Sequence, residues 1–294
     1  MSLRRALRAV LCIALLGAAA HAFAQGAAQD DTQEACPGFV ATRTPRAIPA
    51  AFAHGDAASA RSRIALARGE VSLTFVGHAT FLIESPGGVR IATDYNDYVR
   101  PSAPPDVATM NRAHSTHYSM RPDPAIKHVL PGWNPAGGPA RHDLTVGDVR
   151  VRNVPTNIRD LWGGGGTQYD MNSMFVFETA QLCIAHLGHL HHTLEPSHLK
   201  KLGRIDVVLV PVDGGYTLDT DGMMEVLKVV GAPLIVPMHY FNVGTLNRFL
   251  AKARERWPVE FSKTASITVS RATLPSPPKV LVLPEMRGGL FSDP

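Results

Sequence analysis

Short apolar runs divide the chain from residue 71 onwards into strands and a few helices. The first runs are separated by tight turns, and they predict a three-stranded meander over residues 71–76, 81–83 and 89–92. Seven further runs predict strands at residues 142–146, 149–154, 174–178, 182–185, 207–210, 234–236 and 280–283.

Helices are predicted between the later strands, at residues 195–202, 221–230 and about 243–256. Pro196 lies in the first turn of the first helix, and Gly231 follows the last residue of the second. Since turns link the early strands and helices link the later ones, we expect an α/β protein with two sheets rather than one doubly wound sheet.

Two segments between the predicted strands lack periodicity. Residues 95–139 hold many prolines, and a long irregular stretch inside a domain usually carries function. Residues 163–166 are four consecutive glycines, but the Lys-Ser/Thr pair of a phosphate-binding loop does not follow them. We interpret the glycine run as a mobile segment at the rim of a site.

The N-terminus has the pattern of a secretory signal peptide. Three arginines among the first eight residues precede an apolar stretch over residues 9–20, and Ala22-Phe-Ala24 offers a cleavage site. The apolar stretch is short for a membrane span. We therefore expect a signal peptide at 1–24, an extension at 25–69 with a surface helix at 57–67, a single domain at 70–287 and a tail at 288–294. A periplasmic or secreted protein follows from this, without stable membrane insertion after cleavage.

Composition indicates a globular protein that does not bind nucleic acid. The 294 residues are 45% hydrophobic and 18% charged, which is typical of a domain with a core. Cleavage after Ala24 removes three arginines and no acidic residue, so the formal net charge falls from +4 to +1. No basic run with interleaved aromatic residues is present. Cys36 and Cys183 remain, and the sequence leaves open whether they form a disulfide or two thiols.

Histidines are concentrated directly after the predicted strand at 182–185. His186, His189, His191 and His192 fall within seven positions. Imidazole is neutral near pH 7 and is the commonest protein ligand for zinc and related metals. One buried histidine is commonly structural, but four at the end of a strand favour a metal or catalytic site.

Several motifs together resemble the metallo-β-lactamase superfamily, in particular its branch of ascorbate-6-phosphate lactonase-like metal-dependent hydrolases. They are Phe75-Val-Gly-His78-Ala-Thr-Phe-Leu-Ile-Glu84, Ala92-Thr-Asp94, Ala185-His186-Leu-Gly188, Val207-Val-Leu-Val-Pro211 and Val236-Pro-Met-His239-Tyr. The resemblance covers about residues 71–283. It implies an αββα sandwich of four layers, with a metal site at the edge where loops from both sheets converge.

The sequence departs from the family at its central motif, His-x-His-x-Asp-His. Aligned on a His-Tyr pair, only His117 of that motif is kept, and the next ligand position falls at or beside Asn157. The family's bridging aspartate is His189 here, whereas the final ligand, His239, is kept. A two-metal site of the usual kind cannot be assembled from these residues.

The resemblance therefore implies a histidine-rich site for one divalent metal. His117, His189 and His239 match ligand positions, and His114 could join them or replace one. Three histidines leave a position open for water, as a catalytic metal needs. An imidazole in place of a carboxylate removes one negative charge, which favours one cation over two. We expect zinc, with iron or manganese as alternatives.

The implied activity is hydrolysis of an ester, lactone, amide or phosphoester bond in a small molecule. Asp94 is the first candidate to accept the proton of the attacking water and Asp213 the second. Asp94 can equally stabilise a turn, and for Asp213, in an Asp-Gly-Gly sequence, the turn role is favoured. His78 would orient the substrate or support a ligand. The alternative is an inactive protein that binds a small ligand or a partner in the same cleft. A serine mechanism through Ser115 or Ser119 is disfavoured, because no Gly-x-Ser-x-Gly motif is present.

Overall fold

The computed structural model describes residues 36, 66–159 and 166–286. The chain divides into compact units at residues 1–33 and 34–294, and every described residue belongs to the second unit. The predicted signal peptide, the tail at 288–294, most of the 57–67 helix and most of the glycine run lie outside the described residues. The domain boundaries therefore stay a prediction.

The first sheet has six strands. They are β1 (Glu70–Gly77), β2 (Thr80–Glu84), β3 (Arg90–Ala92), β4 (Val107–Met110), β5 (His128–Pro131) and β13 (Ser266–Ser270). Their order across the sheet is β13-β1-β2-β3-β4-β5. The meander β1-β2-β3 is antiparallel, as predicted, whereas β3, β4 and β5 pair in parallel.

The second sheet has eight strands. They are β6 (Asp143–Val146), β7 (Val149–Arg159), β8 (Thr167–Thr179), β9 (Leu182–His186), β10 (Val207–Pro211), β11 (Leu234–Met238), β12 (Val259–Phe261) and β14 (Lys279–Val282). Their order is β12-β14-β11-β10-β9-β8-β7-β6. Strands β9, β10 and β11 are parallel neighbours.

Three α-helices connect strands of the second sheet. They are α1 (Pro196–Leu202), α2 (Thr220–Val230) and α3 (Val243–Ala253), and a 3₁₀ turn spans Arg271–Thr273. Asp219 caps α2 by accepting from the amide of Gly222, and Asn242 caps α3 by accepting from the amide of Thr245. Gly231 ends α2 in the left-handed conformation, as its position predicted.

The predicted fold class is confirmed, because a mixed α/β chain forms two sheets that share one apolar core. Phe75 and Ile83 of the first sheet and Phe175 and Ile184 of the second are completely buried in that core. None of the helices in the described ranges is long and apolar enough to span a membrane.

The prediction of an irregular segment over residues 95–139 was wrong in part, because β4 and β5 lie within it. Each has only four residues and is flanked by proline-rich loops, so neither shows a period of its own. Strands β12 and β13 were also missed. The hairpin of β7 and β8 is longer than predicted, because polar residues extend both strands beyond their apolar centres.

A disulfide joins Cys36 to Cys183 of β9, with the two Cα atoms 6.1 Å apart. Both residues are buried in the core. The bridge settles the question that the sequence left open, and it ties a residue of the N-terminal extension to the strand that precedes the histidine run.

The two sheets place six strand ends near one another. Strands β1, β3 and β4 run in the same direction, so their carboxyl ends lie at one edge of the first sheet. The parallel β9, β10 and β11 end at one edge of the second. The amide of His239 donates to the carbonyl of His78 at 2.7 Å, which joins the two edges. Side chains that follow these six strands therefore converge.

Candidate metal centre

Each of the six strand ends is followed by a histidine or an aspartate that reaches a common cluster. In chain order these residues are His78, Asp94, His114, His117, His189, Asp213 and His239. One ring nitrogen from each of His78, His114, His117 and His239 lies within 4.8 Å of the others. The ring of His189 lies 4.8 to 4.9 Å from those of His114, His117 and His239. The structure thus brings together all four predicted ligands and adds His78 to them.

The chain turns sharply at three of these positions. His78, Asp94 and His239 have φ angles of +53°, +41° and +56°, in the left-handed region that residues other than glycine rarely adopt. Such a conformation costs on the order of 1–3 kcal/mol. It turns each side chain out of its strand and into the cluster.

Two histidines are held from behind by buried carboxylates. Nδ1 of His117 lies 2.5 Å from Oδ2 of Asp94, and Nδ1 of His239 lies 3.0 Å from Oδ1 of Asp213. All four side chains are buried. Because a ring's two nitrogens lie on different sides, these contacts leave both Nε2 atoms directed into the cluster. Asp94 and Asp213 therefore orient imidazoles and are placed behind the rings, away from the centre where a water molecule would react.

The Nε2 atoms of His117 and His239 lie only 3.0 Å apart. Two lone pairs at this distance repel, so a proton or a cation must lie between them. Burial raises the pKa of Asp94 well above its usual value, against a lowering by the hydrogen bond from Asn111. A proton on Asp94 donates to His117, and the ring then donates from Nε2 to His239. The arrangement provides one cation-sized position between two imidazoles.

The carboxylate of Asp213 stays ionised. Burial by itself raises its pKa, but hydrogen bonds from His239, Thr217 and the amide of Gly215 outweigh burial and bring the pKa below its usual value. The amides of Tyr216 and Thr217 also donate to the same carboxylate. Asp213 is thus a fixed negative charge on the Nδ1 side of His239, which strengthens Nε2 as a donor to a metal.

A second set of hydrogen bonds fixes the tautomer of His189. The amide of Arg159 donates to Nδ1 of His191, so neutral His191 carries its proton on Nε2. That nitrogen lies 2.5 Å from Nδ1 of His189, which must accept. Neutral His189 then carries its proton on Nε2, 3.1 Å from Nε2 of His114. In this network His189 is a donor to His114, whereas its predicted role as a ligand requires the other tautomer.

The network continues through a hydroxyl. Oγ1 of Thr116 lies 2.8 Å from Nδ1 of His114 and 2.9 Å from Nε2 of His78. When His114 accepts from His189 on Nε2, its Nδ1 donates to Thr116, whose hydroxyl donates to His78. Sequence reasoning missed Thr116, because a threonine beside two histidines has no pattern that distinguishes it.

The imidazoles of His78, His114 and His117 are neutral at pH 7. Burial, and then the neighbouring His239, lower the pKa of His78 to about 3 and that of His114 to about 4. Burial, and then the nearby His189, lower the pKa of His117 well below its ordinary value. A metal binds the neutral form of imidazole, so these rings need no neutralisation, and the one proton that must leave is the proton shared by Asp94 and His117.

Two asparagines and a glycine form the frame beneath the cluster. Asn111 donates to Asp94 and accepts from the amide of Ser173, while Asn172 accepts from the amide of His189. Gly188, with φ +60°, lies against both asparagines. Asn111 directly follows β4. Its carboxamide is uncharged, so it positions Asp94 without adding a charge that would compete for a cation.

The remaining histidines lie outside the group of four. His186 is buried and donates to the carbonyl of Ala79, so it is structural. His192 accepts from the amide of Asn157 of β7, whose side chain accepts from the amide of Asp170 of β8, so Asn157 contacts the neighbouring strand rather than the cluster. Ser119 donates to Asp97, and the hydroxyl that contacts the histidines belongs to Thr116. A serine nucleophile at Ser119 thus lacks a histidine partner among the described residues.

Comparison with known proteins identifies relatives across the region that contains the cluster. A family model described as a beta-lactamase superfamily domain matches residues 72–239. A UPF0173 metal-dependent hydrolase from Methanoculleus marisnigri is 28% identical over 231 residues, which cover 74% of this chain and 99% of that protein. Another from Methanoregula boonei is 26% identical over 184 residues, 57% of this chain and 81% of that protein.

One solved structure supports the same relationship. It comes from Thermotoga maritima and is described as a candidate Zn-dependent hydrolase of the metallo-beta-lactamase superfamily. Its sequence is 28% identical, the TM-score is 0.53, and the similarity covers 72% of this chain and 98% of that one.

Substitution of Gly188 tests whether the frame beneath the cluster is closely packed. A Cβ at Gly188 would overlap Nδ2 of Asn111 and lie 2.5 Å from Oδ1 of Asn172. We expect Gly188→Ala to lower the free energy of unfolding by about 2–4 kcal/mol, from the left-handed φ and the overlap together. Gly231→Ala is the control, because Gly231 has a similar φ of +66° with no atom within 4 Å of the added Cβ. Its cost should be only about 1–2 kcal/mol in chemical denaturation. Equal losses would show that the frame tolerates a methyl group.

Proposed function

Because the chain belongs to the β-lactamase superfamily, we propose that it is a metal-dependent hydrolase of small molecules with one metal ion, zinc, held by histidines. The family model spans more than half of the chain and confirms the resemblance inferred from the motifs. The relatives named above are metal-dependent hydrolases, and this supports the reaction class.

The observation that carries the proposal is the 3.0 Å contact between Nε2 of His117 and Nε2 of His239. Once the proton on Asp94 is lost, its carboxylate accepts from Nδ1 of His117, and both Nε2 lone pairs are directed to one point. His114 becomes the third ligand of the group when its Nε2 binds the metal instead of accepting from His189, and His78 stays the acceptor of the Thr116 hydroxyl beside them. Neutral imidazoles with carboxylates behind them are the ligands that zinc prefers in catalytic sites.

A single cation fits this donor set better than two. The carboxylates of Asp94 and Asp213 bind Nδ1 atoms rather than the centre of the cluster. Among the described residues, the group that could hold a metal consists of histidines alone. Without an anion between them to offset their charges, two divalent cations in this cluster would repel each other strongly.

When bound, a divalent cation supplies Lewis-acid polarisation of the bond to be cleaved and acidifies a water molecule. The residues of the chain supply orientation and a proton path. Asp94 and Asp213 fix the rings of His117 and His239. Thr116 links His114 to His78, so a proton can move between Nδ1 of His114 and Nε2 of His78 through its hydroxyl. We assign the acceptance of the proton to this path rather than to Asp94, which lies behind His117.

The second candidate function is binding without catalysis. It is favoured by the same position of the two carboxylates, because neither is placed to take a proton from an attacking water. A protein with this function would retain a metal or a ligand in the cluster and cleave nothing.

Metal content and turnover together test the proposed function. We expect the mature protein, purified without a histidine tag, to contain about one zinc per chain by elemental analysis. His117→Gln and His239→Gln should lose this zinc, and Asp213→Asn should weaken zinc affinity about 10–100-fold by calorimetry. His128→Gln, which removes a histidine from β5, is the matched control and should retain the full content.

Activity is measured on a panel of nitrophenyl esters, lactones, amides and phosphodiesters. A chelator should abolish turnover and added zinc should restore it. Stoichiometric zinc without turnover of any compound would support the binding protein. A metal-free protein, or one in which His117→Gln and His128→Gln bind zinc equally, would overturn the assignment of the site.

We also propose that the protein is exported. The basic and apolar segments of residues 1–24 support this, and so does the disulfide between Cys36 and Cys183, because disulfides persist in oxidising compartments.

Fractionation of a bacterial host that expresses the full chain tests export. We expect the protein in the periplasm or medium, with Gln25 as its first residue. Cys36→Ala and Cys183→Ala should each lower the free energy of unfolding by about 2–5 kcal/mol, and the double variant should lose little more than the singles. Cytoplasmic protein with residues 1–24 intact and three thiols that react with an alkylating agent, those of Cys12, Cys36 and Cys183, would contradict export.

A further inference from the structure

We propose that Phe241 and Tyr216 form an aromatic wall beside the histidine cluster that selects uncharged substrates with an aryl or alkyl group next to the bond cleaved. This inference rests on the proposed function and names the substrate class of the same site.

The rings of Phe241 and Tyr216 lie beside the cluster on its exposed side. The ring of Phe241 lies 5.2 Å from that of His239 and 5.7 Å from that of His78. Tyr216 packs edge to face on Phe241, with ring centroids 5.4 Å apart. Phe241 is 46% exposed and Tyr216 is 57% exposed, whereas His239 is completely buried. A molecule that reaches His78 and His239 therefore has an apolar surface beside it.

The wall is fixed by the residues that orient the cluster. The amide of Tyr216 donates to Asp213 at 2.6 Å, and the same carboxylate contacts His239. The guanidinium of Arg159 donates to the carbonyls of Gly215 and Thr217 at 2.9 and 2.7 Å. On the other side, Phe241 follows His239 by two residues and precedes the cap of α3. Rings held in this way lose little freedom when a ligand binds, so their contact contributes to affinity.

Exposed aromatic rings beside polar groups are typical of small-molecule sites, where they bury the apolar part of a ligand. Phosphate and carboxylate groups are instead bound by arginine or lysine. Among the described residues, no lysine or arginine side chain forms a hydrogen bond or an ion pair with the histidines of the cluster. The guanidinium groups of Arg159 and Arg248 lie close to it, but both donate to backbone carbonyls of residues 213–217. Esters, lactones or amides with an apolar group therefore fit the site better than phosphoesters.

Two hydroxamates distinguish the contribution of the aromatic wall to affinity from the contribution of the metal. Acetohydroxamate and benzohydroxamate present the same metal-binding group, but one carries a methyl group and the other a phenyl ring. We expect the zinc-loaded protein to bind benzohydroxamate about tenfold more tightly by calorimetry. Phe241→Ala and Tyr216→Ala should bring the ratio of the two dissociation constants close to one, with zinc content unchanged. Phe261→Ala, which removes a 54% exposed phenylalanine from β12, should leave the ratio intact.

Equal affinity of the two hydroxamates for the zinc-loaded protein would contradict the proposed role of the aromatic wall but not the proposed metal site. A preference that survives both Phe241→Ala and Tyr216→Ala would overturn it as well. Failure of both hydroxamates to bind, together with an absence of zinc, would instead overturn the proposed function on which the wall rests.

Discussion

The structure depends on one close contact, between Nε2 of His117 and Nε2 of His239. Each ring follows a strand of a different sheet, and each is held from behind by a buried aspartate. The contact is stable only with a proton or a metal ion between the two nitrogens. The strained backbone at His78, Asp94 and His239 and the close packing at Gly188 all serve to bring these rings together. Stability alone gives a fold no reason to place five imidazoles side by side with three of them completely buried.

Most of the architecture could be predicted from apolar runs. The meander, the apolar centres of the long hairpin, and the helices and strands of the second sheet other than β12 carry strong local patterns. Strands β4 and β5 could not be predicted, because four residues are too few to show a period and their parallel pairing depends on distant partners. The disulfide was equally inaccessible, since 147 positions separate its cysteines.

The members of the cluster could be predicted, but not their roles. Motif resemblance indicated His117, His189, His239 and His114, and the structure places all four together. It could not indicate that His191 and the amide of Arg159 make His189 a donor, because that follows from hydrogen bonds between distant segments. Asp94 was indicated by the resemblance of the Ala92-Thr-Asp94 motif, yet its direction towards His117 is a property of the fold. The ligand roles themselves stay predictions.

The most direct test of the central claim is anomalous diffraction above the zinc edge from crystals of the zinc-loaded protein. The account requires a single strong peak between His117 and His239, at about 2.0–2.1 Å from both Nε2 atoms. A map with no peak in the cluster would contradict it, and so would a peak bonded to carboxylates rather than to these two rings.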